Sequence, residues 1–290
     1  MRRASPLLPI RPTWWPLALL AMGCGPTLAT LQPAHVAPAG HVQVAAGFEV
    51  GVPTGTVVHA VDAGRALSSR ARGCNDQSCQ LTPDEKGQLY GAGVSLTASP
   101  LSYSQHLAVS YGFDGRVEAG LRWAAGNWRA QGRYQLARAQ DGPFDATAGL
   151  GVSYSSTGVP MGDVLPVLKV DDFSRWTVDV PLTIGTSRSW CRVWTGVKLA
   201  YTRFDTKMHL ELPSDDVSLA SFDGHGLYVL GQGGVAFGYR YLFLAVELTL
   251  GELFGHADAA VAGASPVAGA RSTDLTGFVV YPAVALIGEI

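Results

Sequence analysis

The stretch LAVSYGFDGRVEAGLRWAAGNWRAQGRYQL, residues 107–136, decides the fold. Leu107, Val109, Tyr111 and Phe113 alternate with smaller or more polar residues up to Asp114-Gly115. Val117, Ala119, Leu121 and Trp123 then alternate against Glu118, Gly120 and Arg122 up to Gly126-Asn127. Trp128, Ala130, Tyr134 and Leu136 follow, against Arg129, Gln131, Arg133 and Gln135. A period of two puts each set on its own face of a strand, and Asp-Gly and Gly-Asn between such runs are hairpin signals. The product is a meander with one apolar, aromatic face and one charged face. A soluble barrel would hide the apolar face; a transmembrane barrel would turn it to lipid and keep the charges inside.

Composition leans toward lipid. Of 290 residues 47% are hydrophobic and only 15% charged, against about 25% charged in ordinary soluble domains. The formal net charge of -2 gives no footprint for nucleic acid. The 35 glycines suit strands and close backbone approach.

Residues 1–23 read as an export signal: Arg2, Arg3 and Arg11 precede the apolar run Trp14–Met22, which is too short to span a bilayer as a helix. Ala21-Met22-Gly23-Cys24 resembles a bacterial lipobox, with Leu20 one place early, so Cys24 is the candidate lipidation site. An ordinary signal cut nearby is the other reading, and both imply export. Residues 24–40, rich in Pro, Ala and Gly, read as a lipidated tether, with His35 and His41 solvated. Cys74 and Cys79 enclose a short polar loop and are expected to form a disulfide, while Cys191 reads as an unpaired strand residue. Neither a metal nor a cofactor is expected.

Residues 41–290 read as one all-β domain, an antiparallel up-and-down transmembrane barrel of about ten strands (ten to twelve) with a helical insertion after the first strand. The strands are placed at 41–51, 105–113, 116–125, 128–138, 144–154, 175–185, 190–204, 225–238, 240–250 and 273–287. In the insertion 53–104, residues 57–72 are helix-compatible. Thr82-Pro83-Asp84-Glu85 predicts a second helix start, with Thr as N-cap, Pro at N1 and Glu at N3, running to about Leu96; an extra strand at 88–97 is the alternative. The insertion covers one mouth or fills part of the lumen. The Gly-rich strand 225–238 can bend or admit a close neighbour; its glycines do not form a strand-to-helix nucleotide loop.

An even strand count puts both chain ends on one side. The connections there are short (114–115, 139–143, 186–189 and Tyr239). Those opposite are long (53–104, 156–174, 205–224 and 251–271) except Gly126-Asn127. Short periplasmic turns and long external loops are the outer-membrane pattern. Trp123, Trp128, Tyr154, Trp176, Trp190 and Tyr239 fall near strand ends, where interfacial girdles sit. The close at Ile287-Gly288-Glu289-Ile290 departs from the terminal aromatic such barrels often carry.

Parity assigns a lumen charge network: Glu49, Glu118, Asp145, Asp179 and Glu247 opposite Arg122, Arg129, Arg133, Arg192 and Lys198. Each sign has partners, as buried charge requires, and the set reads as lumen packing rather than catalysis.

Four phrases carry a resemblance: Gly40-His41-Val42-Gln43, Asp171-Asp172-Phe173-Ser174-Arg175-Trp176, Gly238-Tyr239-Arg240-Tyr241 and Val246-Glu247-Leu248-Thr249. From residue 41 onward the chain resembles uncharacterised outer-membrane β-barrel lipoproteins of the myxobacterial kind. The resemblance implies an architecture and a Gram-negative outer membrane, and brings no activity or site residue.

The expected function is that of a monomeric outer-membrane barrel, in contact with outer-membrane lipid, with a structural, surface-interaction or narrow-pore transport role and no enzymatic activity. One alternative is a lipid-tethered soluble periplasmic barrel binding an apolar ligand, which needs the apolar face inward. The other is a lipid-modifying enzyme, built on His106 with Ser104 or on His225 with Ser221 and Asp223.

Overall fold

The structure, a computed structural model, describes residues 26–54, 58, 62–64, 66–67, 82–139, 141–156, 165, 167–211, 218–261 and 272–290. Cys24, Cys74, Cys79 and the export signal lie outside these residues. The alternating segments become β1 (Val42–Pro53), β2 (Ser102–Gly112), β3 (Val117–Ala124), β4 (Asn127–Ala137), β5 (Asp145–Ser155), β6 (Leu168–Ser187), β7 (Cys191–Leu210), β8 (Ser218–Tyr239), β9 (Leu242–Val261), β10 (Ser272–Asp274) and β11 (Gly277–Glu289), with helix α1 (Pro83–Ala98) between β1 and β2. Neighbours pair antiparallel, and β11 pairs with β1, so the sheet closes. Both β10 and β11 lie along β9, so the eleven segments make a barrel of ten staves. The break between them falls at Leu275-Thr276, where Leu275 is buried.

The turns follow their residues. Asp114 Oδ1 accepts from the amides of Arg116 and Val117 at 2.8 and 2.7 Å, and Gly115 takes φ +73°. The β3–β4 turn is one residue earlier than the Gly-Asn reading: Ala125 (φ +44°) and Gly126 (φ +85°) form it. Two positive φ values match the twist of a two-residue hairpin, and they leave Asn127 as the first residue of β4, buried against the lumen.

The stretches read as long external loops are shorter than expected. β6, β7 and β9 each run 20 residues and β8 runs 22, taking up much of 168–174, 205–210, 218–224 and 251–261. The reason lies in the sense of the alternation. Along β7, Val193, Val197, Leu199 and Tyr201 are exposed, while Arg192, Lys198 and Thr202 are buried. From Arg203 onward the same parity carries the opposite chemistry: Phe204, Met208 and Leu210 are buried, and Arg203, Asp205 and Lys207 are exposed. An outward apolar face suits lipid; an inward one suits water outside. The tall wall therefore leaves the apolar band and continues as a water-soluble sheet.

The lumen has two zones. In the upper one, α1 packs Leu89, Tyr90, Val94 and Leu96 against Phe173, Phe204, Met208, Phe222, Tyr228 and Leu253. The capping box forms as the sequence predicts: Thr82 Oγ1 accepts from the Glu85 amide at 3.2 Å, and Glu85 Oε2 accepts from the Thr82 amide at 2.9 Å. The alternative strand at 88–97 is excluded, because these residues are helical. Gly93 lets the helix seat closely, since a Cβ there would lie 2.2 Å from Leu168 Cδ2. Of the earlier helix-compatible stretch, the described residues 58, 62–64 and 66–67 are helical. Of the insertion, α1 packs inside the lumen rather than lying over it.

The lower zone holds the stretch read as a tether. Residues 26–37 run inside the barrel as an irregular strap, with φ +51° at Leu31, a bend at Ala34-His35, and Leu28, Ala29, Leu31, Ala34 and Ala37 at most 2% exposed. The strap enters at the mouth that holds both chain ends of the barrel, where the Gly40 amide donates to Gly112 O and the Val42 amide to Ile290 O, each at 2.8 Å. Its Pro/Ala composition permits this placement. Small side chains let a single chain pass between barrel walls, and polar wall groups satisfy the amides that an isolated segment leaves open.

Candidate functional site in the barrel lumen

Alternation along the staves points one row of side chains inward. All ten residues of the charge network lie buried in the lumen: Glu49, Glu118, Arg122, Arg129, Arg133, Asp145, Asp179, Arg192, Lys198 and Glu247. Three acid–base pairs form directly. Arg122 Nη2 lies 3.3 Å from Glu49 Oε2, Arg133 Nη1 lies 3.5 Å from Glu118 Oε1, and Arg129 grips Asp179 with Nε and Nη2 at 2.9 and 2.7 Å. The last is a bidentate fork, the strongest geometry for such a pair.

The remaining network members have other partners. Asp145 Oδ1 accepts from the Ala139 amide at 2.8 Å and fixes the β4–β5 turn. Lys198 Nζ donates to the carbonyl of Leu28. Glu247 accepts from the Thr30 and Leu31 amides at 2.6 and 2.9 Å and from Trp194 Nε1 at 2.9 Å. Arg192 pairs with Glu289, which lies two residues past the sequence-placed end of the last strand.

The strap is gripped from both sides of its main chain. Ala29, Val36 and Ala37 donate their amides to Glu49, Gln135 and Glu118 at 3.1, 2.7 and 2.8 Å. In return, Arg122 donates to Ala29 O, and Arg133 to the carbonyls of Pro33 and His35 at 2.7 Å each. His35, expected in solvent, instead meets Ser187 Oγ at 2.7 Å and Glu289 Oε1 at 3.3 Å. Between strap and wall a cavity of about 20 Å³ remains, lined by Thr30, Gln43, His106, Ser110, Arg122 and Gln131. That is room for about one water molecule.

Arg175 is missing from the sequence-based network because the alternation there starts its strand at that residue. It lies at the junction of the two zones, donating to the last-turn carbonyls of α1, Thr97 O and Ala98 O. A cation there complements the helix dipole. The signal was legible in principle: Arg175 shares parity with Thr177 and Asp179 in an unbroken strand.

The outer face is a band of apolar residues bounded by aromatics. The Tyr154 and Trp176 rings lie 4.6 Å apart and tilted toward one rim, and Trp190 and Phe237 stack at 6.3 Å toward the other. Leu121, Val152, Leu182, Val197 and Val246 are exposed between them. The soluble alternative requires the reverse distribution and is set aside on this geometry. Of the groupings named for a lipid-modifying enzyme, His106 and Ser104 are buried in the lumen, with no hydrogen-bond partner among the described residues at either ring nitrogen or at Ser104 Oγ, and Ser221, Asp223 and His225 share the outward face of β8. The His225 ring packs on His256 at 4.2 Å, and Asp223 is bound by Arg203 at 2.6 Å.

No family model matches the chain, and no curated protein does. Solved structures similar to it include a major outer membrane protein from Thermus thermophilus (10% identity, TM-score 0.36, covering 86% of this chain and 99% of that one). Others are Ail, the attachment invasion locus protein of Yersinia pestis (6%, 0.31, 87% and 99%), and Neisserial surface protein A (9%, 0.27, 87% and 98%).

Proposed function

We propose that this chain is a monomeric outer-membrane β-barrel of a Gram-negative bacterium, shut along its axis, that serves a structural or surface-interaction role and performs no catalysis. One observation carries the reading: among the described residues the strap occupies the lower lumen and α1 the upper, inside a wall whose outward face is an apolar band flanked by aromatics. Ring closure leaves no open sheet edge, which supports a monomer in lipid. The tall wall β6–β9 supplies the surface that projects beyond the band.

The test is fractionation and electrophysiology of the full-length protein. Retention in the outer membrane through a carbonate wash, a heat-dependent shift in gel mobility and an electrically silent planar bilayer are expected. Steady channel openings would overturn the shut lumen and favour narrow-pore transport, and release by the wash would overturn the membrane reading. Acylation of Cys24 is read from the sequence of Leu20 to Cys24 alone and competes with the strap, because Pro26, two residues on, is buried in the lumen. Intact mass of the mature chain tests it: a diacylglyceryl cysteine at position 24 supports it, and an unmodified N-terminus overturns it.

A further inference from the structure

The strap is held as a peptide ligand is held. Five of its amides donate to wall acceptors: Ala29 to Glu49, Thr30 and Leu31 to Glu247, Val36 to Gln135 and Ala37 to Glu118. Five of its carbonyls accept from wall donors: Leu28 from Lys198, Ala29 from Arg122, Pro33 and His35 from Arg133, and Ala34 from Gln135. Its side chains add little polar recognition, through Thr30 and His35. The buried positions 29, 34 and 37 are alanines, while Leu28 and Leu31 pack into the apolar clusters of the lumen. Carboxylates that read N–H groups and cations that read carbonyls recognise the backbone itself, and the two leucines add apolar anchors. Of the three strap-holding acids, Glu49 keeps Arg122 and Glu118 keeps Arg133 as a basic partner of its own. Those two pairs do not need the strap; Glu247 and Lys198 are the buried charges that rely most on it, and a replacement peptide backbone would serve them again.

We propose that the lumen is a peptide-binding channel for an irregular polypeptide segment rich in Ala, Thr and Pro with apolar anchors. Residues 26–37 occupy it in cis, and a segment of the same chemistry from another polypeptide can take their place. This adds a ligand class to the shut barrel and stands apart from its conductance: channel openings in the full-length protein would sink the shut reading without touching peptide binding to a strapless barrel.

The experiment uses barrel lacking residues 26–37, exported behind a heterologous signal, and a fluorescent peptide spanning residues 26–38. Anisotropy is expected to show saturable binding to folded strapless barrel and none to the full-length protein. Thr30→Pro, Leu31→Pro and Ala37→Pro in the peptide remove three of the five donors and should weaken binding at least about tenfold. Ala29→Trp and Ala34→Trp should abolish it, and a peptide scrambled at its other positions with Leu28 and Leu31 kept in place should keep most of it; loss of that peptide's binding would overturn backbone-led recognition. No binding to strapless barrel that still shows its heat-dependent gel shift, or equal binding to the full-length protein, overturns the proposal. If the deletion does not fold, the full chain with a protease site inserted after Pro38 is cut once folded. Exchange of the released strap for labelled peptide supports the channel, and a strap that never exchanges overturns it.

Discussion

Arg192 and Glu289 clasp the start of β7 to the end of the barrel chain. Arg192 is the second residue of β7 and Glu289 the last of β11, and the guanidinium takes both carboxylate oxygens, with Nη2 to Oε2 at 2.7 Å. Gln43 donates to the same carboxylate at 2.8 Å, and the Arg192 guanidinium lies 3.6 Å over the Phe243 ring. The contact joins β1, β7 and β11 across the lumen at the mouth where the strap enters. Removing one partner of such a pair leaves a charge in a nearly dry site. Arg192→Ala is expected to destabilise the folded barrel by about 3–5 kcal/mol, read as a lowered urea midpoint in vesicles. The double change to Arg192→Leu with Glu289→Leu should recover much of the loss.

Glu247 is the anchor of the strap. Its carboxylate serves the Thr30 and Leu31 amides and the Trp194 indole. Glu247→Ala leaves the two amides and the indole without their acceptor, and the Thr30 and Thr249 hydroxyls lose it too, at about 1–3 kcal/mol for each buried group left open. Amide exchange at Thr30 and Leu31 should accelerate at least tenfold while exchange in β9 changes little. Unchanged protection at both amides would show that the strap is held by other contacts.

Gly234 makes room for that indole. A Cβ at 234 would lie 2.3 Å from Trp194 Cε2 and Cζ2. Gly234→Val forces Trp194 away from Glu247, and overpacking of this kind costs about 1–3 kcal/mol. The near-ultraviolet dichroism of the tryptophans should change. Gly231→Val, where no wall atom lies closer than 3.9 Å, should leave it unchanged.

His209 couples the tall wall to pH. Its Nδ1 lies 2.8 Å from Asp171 Oδ2, and that hydrogen bond raises the imidazole above its ordinary value of 6.5. A raised folded-state value stabilises the charged form. The contribution is complete below pH 6.5 and is lost as pH climbs through the raised value. Amide protection near the tip of the β6–β7 pair should fall across that window, and His209→Gln should flatten the profile.

The lipid-facing reading has its own probe. Leu182 is exposed at the middle of β6, and its neighbour Thr183 is buried in the lumen. Leu182→Arg is expected to cost about 2–4 kcal/mol in a bilayer, measured by equilibrium unfolding in vesicles. A neutral effect would place this face in water.

Much of the barrel was legible before folding. Alternation between Leu107 and Leu136 separated lipid-facing from lumenal side chains, and the same parity put Glu49, Arg129, Asp179 and Lys198 inside. The helix start at Thr82 was equally plain, because a capping box is a local bond between neighbours in sequence. Local period and local turns determine staves, facing and order, since each depends on a few adjacent residues.

What each inward group meets was settled only by closing the sheet. Glu247 bonds Thr30 across 217 positions of sequence, and Glu289 bonds His35 across 254. No local pattern marks residues 26–37 as a lumenal strap rather than a linker, because an Ala/Pro segment has no face of its own and takes its place from the wall around it. The upper part of β7 is the middle case. Its alternation was present in Phe204, Met208 and Leu210, but its meaning reversed where lipid gives way to water, and only the packed helix showed which side was inside.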